Sequence, residues 1–477
     1  MLWMCPLTLS LPRAPVDVPA RTVCLVASAI SLGFAIHINN GLVQPGAILW
    51  LSLALAMGFA AFMKPSQKSL LSRHAPRALP WLVAGGLAIQ FFLLFLNRSS
   101  DGWKSFSSGC VYYALLSAAA MLCIAMVVYP IKSRLIFAII LPVFGLMGVW
   151  MLGTGPRPKI DVWQAQMSGL DAMKQGIDPW SSTFPDVYKL PDIYAPGTVK
   201  NGIVQLGFPY PPLSVLFDLP GYAVFRDYRY SNLAAMMIAA ACIAYARPGR
   251  MGPLLGALFL FTPRVFFVLA NGWTEPMVAM FLAATVFCAC RRPGAMPWML
   301  GLFLVSKQYV PLAMLPAMLL LKPKWDWRDA ANLLGKAALI GAAVSLPLAL
   351  WNFRAFLHST LLVASGAKFR LDALSYFAYS AQLHDWTPPQ SLGRVSFLAA
   401  LVTGVFVLRR GERSAAGFSA GVALVFMMFF CLNKFAFCNY YYFIVATLCT
   451  SAAALQGREA ILADVEDGAF KDYAIAA

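Results

Sequence analysis

Residues 134–163, RLIFAIILPVFGLMGVWMLGTGPRPKIDVW, decide the fold. After Arg134 the run to 153 carries no charge. At ~1.5 Å per residue it is long enough to cross a ~30 Å hydrocarbon core as a helix. A stretch rich in Pro, Gly and Asp then extends to residue 210 and contains no run able to cross a membrane. Working outward, four more spanning runs precede it, near 22–38, 47–63, 80–97 and 109–129. Apolar runs resume after it and continue to about 455.

Sixty per cent of the 477 residues are hydrophobic, 12% are charged and the mean hydropathy is +0.69, so lipid is the main solvent of this chain. The expected fold is an all-α, polytopic membrane protein of about 13 transmembrane helices, some broken or re-entrant. A long outer loop is expected to carry an interfacial helix. The divisions are residues 1–153, N-terminal transmembrane helices; 154–210, the outer loop; 211–456, C-terminal transmembrane helices; and 457–477, a cytoplasmic tail.

The net charge of +17 does not point to nucleic acid, because the basic residues form short clusters between apolar runs. Lys64, Lys68, Arg73 and Arg77 follow the second run, and Lys132 and Arg134 follow the fourth. Further clusters lie at Arg247 and Arg250, at Arg291 and Arg292, at Lys322, Lys324 and Arg328, and at Arg409, Arg410 and Arg413. Placing all of these in the cytoplasm puts residues 154–210, the turn at Arg264 to Glu275, the segment around Lys307 and residues 352–390 on the outer side, periplasmic or extracellular. A bacterial inner membrane is the expected setting. The run 211–224, interrupted by Pro211, Pro212 and Pro220, fits this alternation only as a re-entrant or interfacial segment.

The outer loop opens with Asp161-Val162-Trp163. Ile160, Trp163, Met167 and Leu170 recur at helical spacing, so 160–172 reads as a short interfacial helix that holds Asp161 where a lipid head group meets water. The alternative is a solvated acid near a span end. Gly176-Ile177-Asp178-Pro179-Trp180 follows, with Asp178 either reactive or organising a turn. Lys307 stands between two short apolar runs, 297–306 and 308–321, and is either a functional cation or a snorkelling side chain.

The ordered series of an outer-loop acid, G-x-D-P-Trp at 176–180, and Phe208-Pro209-Tyr210-Pro211-Pro212-Leu213 resembles the polyprenol-phosphate-mannose-dependent mannosyltransferases of the GT-C superfamily. Asn271-Gly272-Trp273 with Glu275 resembles that family's Asn/His-Gly-Gln segment, with Trp273 where Gln is usual. Arg291-Arg292-Pro293 followed by Ser306-Lys307-Gln308-Tyr309 is similar to its helix, Lys and Pro segment. The resemblance covers residues 155–325. Five apparent spans precede the acid, where the family generally has one, which makes the first 130 residues an extension.

The resemblance implies inverting transfer of a sugar, mannose favoured, from a polyprenyl phosphate donor to a lipid or glycan acceptor. Asp161 is then the base that takes the acceptor proton, and Lys307 contacts the donor phosphate. Arg264, Arg354 and His358 are further candidates for that phosphate, or else ordinary interfacial anchors. Asp171, Asp178, Tyr210, Asn271 and Glu275 are candidates for binding sugar or acceptor, Glu275 equally for stabilising its helix N-terminus. No cofactor or metal is expected, since His37, His74, His358 and His384 lack ligand spacing and neither a C-x-x-C pair nor a nucleotide-binding glycine loop occurs. The sequon Asn97-Arg98-Ser99 is too short a signal to interpret.

The rival class is a secondary transporter or lipid-linked sugar flippase. A transporter would place ionisable residues within paired spans, whereas here the acids gather in one loop. An oligosaccharide or O-antigen ligase would use a lipid diphosphate and require more arginine around it.

Overall fold

A computed structural model describes residues 18–63, 70–96, 106–190, 193, 194, 197–322, 324, 326–362 and 368–455. Lys64, Lys68, the sequon at 97–99 and the tail 457–477 lie outside the described residues. The chain is a helical membrane protein. Six helices are long and apolar enough to cross a bilayer: Val18–Gly41, Ala78–Leu96, Gly109–Val128, Pro130–Thr154, Trp327–Ala349 and Gln390–Arg410. A seventh is obtained if Met251–Leu260 and Val265–Asn271, bent by 52° at their junction, form one span.

The surface explains why lipid suits this chain. Leu49, Trp81, Phe92, Met121, Ile124, Leu339 and Leu398 all point outward and are exposed, an arrangement that would aggregate in water. Inside, Val18–His37 packs against both Pro45–Ala60 and the C-terminal helix Cys438–Ala454. Its Leu25, Val26, Ala29, Leu32 and Ile36 are almost wholly buried. The N-terminal helices are therefore part of the central bundle.

The bundle is polarised. Arg21, near the start of Val18–His37, pairs with Glu412 at 2.8 Å and donates to the Ala61 carbonyl. The other end of that helix, His37, accepts from Arg264. Arg291 ends Glu275–Arg291 and donates to the Tyr245 carbonyl at 3.2 Å, while Arg134 lies 5.0 Å over the Tyr245 ring. Arg413 donates to Met318. These basic clusters occupy helix ends opposite to those that carry Glu275 and the 154–210 segment.

That segment is ordered by its own sequence. Pro156 and Pro158 prevent the preceding helix from continuing. The helix Asp161–Lys174 then starts on an acid, favoured by the helix dipole, and stops before Gly176, which adopts φ +71°. Its apolar face is the expected one: Trp163 and Leu170 are buried, with Ile160 and Met167 packed beside them. Beyond it lies a three-stranded antiparallel sheet of two-residue strands, in the order Phe184–Pro185, Ile203–Val204, Val199–Lys200. The sheet is a small addition to an otherwise helical architecture.

The run 211–224 forms the helix Pro212–Phe225. Arg226, at φ 57°, closes it and the chain turns into Arg229–Tyr245. Asp218 is fully buried within it, an exception to the gathering of acids in the loop. Around Lys307 the backbone breaks as expected, between Met296–Leu304 and a series of short turns from Val310 to Leu320.

Candidate functional site

A cavity of about 430 Å³ lies where the loop meets the helix ends, within the size range of small-ligand sites. Asp161, Tyr210, Asn271 and Lys307 line it together with Arg370 and Asp372. Sequence positions 146 residues apart, Asp161 and Lys307, thus face one space.

Trp163 fixes the loop helix there. Its ring stacks on Tyr228 at 5.2 Å between centroids, and the Arg229 guanidinium lies 4.8 Å over it. Tyr228 donates to the Gly272 carbonyl at 2.7 Å and Arg229 to that of Ala270 at 2.9 Å, so one cluster ties the helix to the turn before Glu275. Gly272 is left-handed, φ +70°, and a Cβ there would overlap the Tyr228 hydroxyl. On the far side Gln166 is fully buried and donates to Ser214 at 3.0 Å and to Asp218.

Asp161 is half-buried, and its Oδ1 accepts from the Tyr188 hydroxyl at 3.0 Å and the Val162 backbone N–H at 2.8 Å. Burial raises its carboxyl above the usual range, while those two bonds and the Arg370 charge act in the opposite direction. A carboxylate whose proton affinity is raised is suited to accepting a proton.

Lys307 sits in a compact ionic and aromatic cage. Its ammonium pairs with Glu275, which also accepts from Tyr309 at 3.3 Å. The rings of Tyr210, Tyr309 and Tyr440 surround it at 5.2, 5.7 and 5.5 Å. Glu275 is wholly buried and is not among the cavity-lining residues; its position is that of a counter-ion. One N–H of Lys307 meets Glu275, leaving two for a ligand.

The remaining expected residues lie elsewhere. Arg264 donates to the His37 carbonyl at 3.1 and 3.3 Å and does not line the cavity. Arg354 and His358 line a second cavity, not the one that holds Lys307. Asp171 accepts from Tyr222, and Asp178 accepts from the Trp180 N–H at 3.0 Å and the Ser181 hydroxyl at 2.6 Å. Asp178 therefore organises its turn, and the turn aims Trp180, whose indole N–H donates to the Tyr210 carbonyl at 3.1 Å.

Arg370 and Asp372 are the residues that sequence reasoning missed. Arg370 binds Asp372 bidentately, 2.9 and 2.7 Å, which leaves Nη1 without a partner among the described residues. Asn40 also reaches the cavity, from a turn in which Asn39, Asn40 and Gly41 are all left-handed. The Val43 N–H in that segment donates to the Asp372 carbonyl at 3.1 Å, so the N-terminal hairpin supports the Arg370 side of the site. For Asp218 a signal was available: an acid within an apolar run. Among the described residues no group of His, Cys, Asp and Glu could hold a metal ion. Compared with protein-family models, curated proteins and solved structures, the chain matches none.

Proposed function

We propose that this protein is an inverting glycosyltransferase of the GT-C type. It moves a sugar, mannose favoured, from a polyprenyl phosphate donor to a hydroxyl of a lipid or glycan acceptor on the outer membrane face. The observation that carries the reading is that Asp161 is the lining acid not paired with a cation among the described residues, in a cavity that also holds Lys307 and Arg370. About 13 crossings complete the architecture, with apolar helices such as Pro45–Ala60 and Ala415–Cys431 as the shorter members.

In this mechanism the acceptor oxygen attacks the anomeric carbon and its proton passes to Asp161. The bond from that carbon to the phosphate oxygen breaks, and its electron pair stays on the oxygen. The leaving lipid phosphate changes from diester to monoester and gains negative charge, which the N–H groups of Lys307 and Arg370 left over from their acid partners meet. The aromatic walls, Phe267, Trp273 and Phe437, suit a sugar face and the first isoprene units.

The test is transfer of labelled sugar from polyprenyl phosphate donors in reconstituted membranes, comparing wild type with Asp161→Asn. Activity falls on the order of 10²- to 10⁴-fold if the base is correctly assigned. The fold should survive. A carboxyl raised in the folded state binds its proton more tightly there than in the unfolded chain, so ionising it costs stability as pH rises through that range. Removing the charge should leave Tm at neutral pH equal or higher. Retained transfer places the base elsewhere.

The buried Glu275–Lys307 pair and the buried Asp218 favour a second reading, transport of a lipid-linked sugar. Wild-type membranes that move labelled lipid across the bilayer, yet transfer no sugar from any donor, would establish it.

A further inference from the structure

The second cavity, about 370 Å³, is chemically unlike the first. Ser181, Thr183, Gln205 and Asn352 line it with Arg354 and His358, and no carboxylate does. Arg354 makes no ion pair among the described residues, whereas in the first cavity Lys307 and Arg370 each face an acid. The site is therefore neutral to cationic, rich in hydroxyl and amide groups, and open to an anion.

Its depth follows from the chain. Trp327–Ala349 is a candidate span, and Asn352, Arg354 and His358 come immediately after its end, at the level where head groups lie. Leu350, Trp351, Phe353, Leu357 and Leu361 are all exposed. Arg354 and His358 are exposed among these apolar side chains and line the polar cavity, while Ser359 and Thr360 are buried. That is the disposition of an interfacial segment, with its tryptophan and cation at the boundary.

We propose that the Arg354 and His358 cavity is a second binding site, for the phosphate-bearing head group of a membrane lipid, with its acyl or prenyl tail along the exposed apolar side chains. Leu206 and Ser359 line both cavities, so a head group held here lies one wall from Asp161. Identifying that lipid as the acceptor would rest on the glycosyltransferase reading; the binding does not.

The experiment uses the full chain in phosphatidylcholine nanodiscs containing increasing phosphatidic acid, with Tm as the readout, since a ligand that binds only the folded state raises it. Wild type should be stabilised saturably. Arg354→Gln combined with His358→Gln should require on the order of tenfold more phosphatidic acid, the loss of about one charge-assisted contact. Both side chains are exposed, and the double variant without anionic lipid should melt like wild type. Arg354→Lys should respond nearly as wild type, and so should Asp161→Asn.

Indistinguishable titrations for wild type and the double variant overturn the site, as does an absent response in wild type. A response lost in Asp161→Asn as well would move the lipid into the first cavity. Full stabilisation by inorganic phosphate or glycerol phosphate alone would overturn the lipid source. Because none of these outcomes requires sugar transfer, failure here and failure of the transferase reading are separable.

Discussion

Tyr188 controls the charge on Asp161, and its removal gives a signed test. Burial lifts the Asp161 carboxyl, and the hydrogen bond from Tyr188 holds it down. Tyr188→Phe removes only the second influence, so the carboxyl rises further and its ionised form is lost at higher pH. The acid limb of the kcat/KM profile should move to higher pH, with activity at high pH largely kept. A profile that does not move would detach Tyr188 from the base. At this scale Lys307 was legible in the sequence, because a lysine interrupting apolar runs is a costly placement, while Asp161, Tyr210 and Asn271 were singled out by the resemblance of their motifs. Arg370 and Asp372 were not, since an Arg-x-Asp pair in a polar segment is an ordinary solvated pattern. Only the fold brings it against Asp161.

Lys307 and Glu275 belong to the same scale and make a second prediction. Lys307→Met leaves the Glu275 charge buried without its cation, at a cost of about 3–5 kcal/mol. Adding Glu275→Gln should recover most of the lost stability, because the paired variant buries no charge. Thermal unfolding of the two single variants and the double variant measures this. Additive losses would show that the two side chains do not act as a pair.

At the scale of elements, the loop rests on Gly207. It is left-handed, φ +71°, and a Cβ would overlap the Trp180 carbonyl and the Ser359 hydroxyl, the point where the Asp178 turn meets the segment after Asn352. Gly197 has a similar φ, +80°, but open space around it. Gly197→Ala should cost about 1–2 kcal/mol, the left-handed penalty alone. Gly207→Ala should cost clearly more and should also impair transfer, because Trp180 holds Tyr210. Equal Tm losses for the two would mean that the contact is not structural. The loop helix was readable from the spacing of Ile160, Trp163, Met167 and Leu170. The small sheet was not, since strands of two residues carry no period. The helix Pro212–Phe225 looked irregular because of its prolines, yet Pro211 caps it, Pro212 stands in its first turn where no backbone donor is lost, and Pro220 alone lies inside it.

Over the whole molecule, the positive-inside pattern and the contacts agree for independent reasons. Charge bias assigned the clusters to one face, and the fold gathers Arg134, Arg247 and Arg291 near Tyr245, with Arg21 and Arg413 at other helix ends of the same side. The role of the N-terminal helices was beyond sequence reasoning, because packing of Val18–His37 against Cys438–Ala454 joins the two ends of the chain. The last prediction follows from this polarity. In a Cys5→Ser, Cys110→Ser background, which removes the exposed thiol among the described residues and the one cysteine outside them, Lys200→Cys and Arg410→Cys each introduce a thiol at an exposed position. With the site end outside, a membrane-impermeant maleimide added to intact cells should label position 200 and not position 410, and permeabilisation should open position 410. Labelling of both from one side would mean that the 154–210 segment and the basic clusters share a face. Labelling of position 410 alone in intact cells would invert the orientation, and the cavity would then meet substrate from the cytoplasm, where the proposed lipid-linked donor and acceptor do not meet.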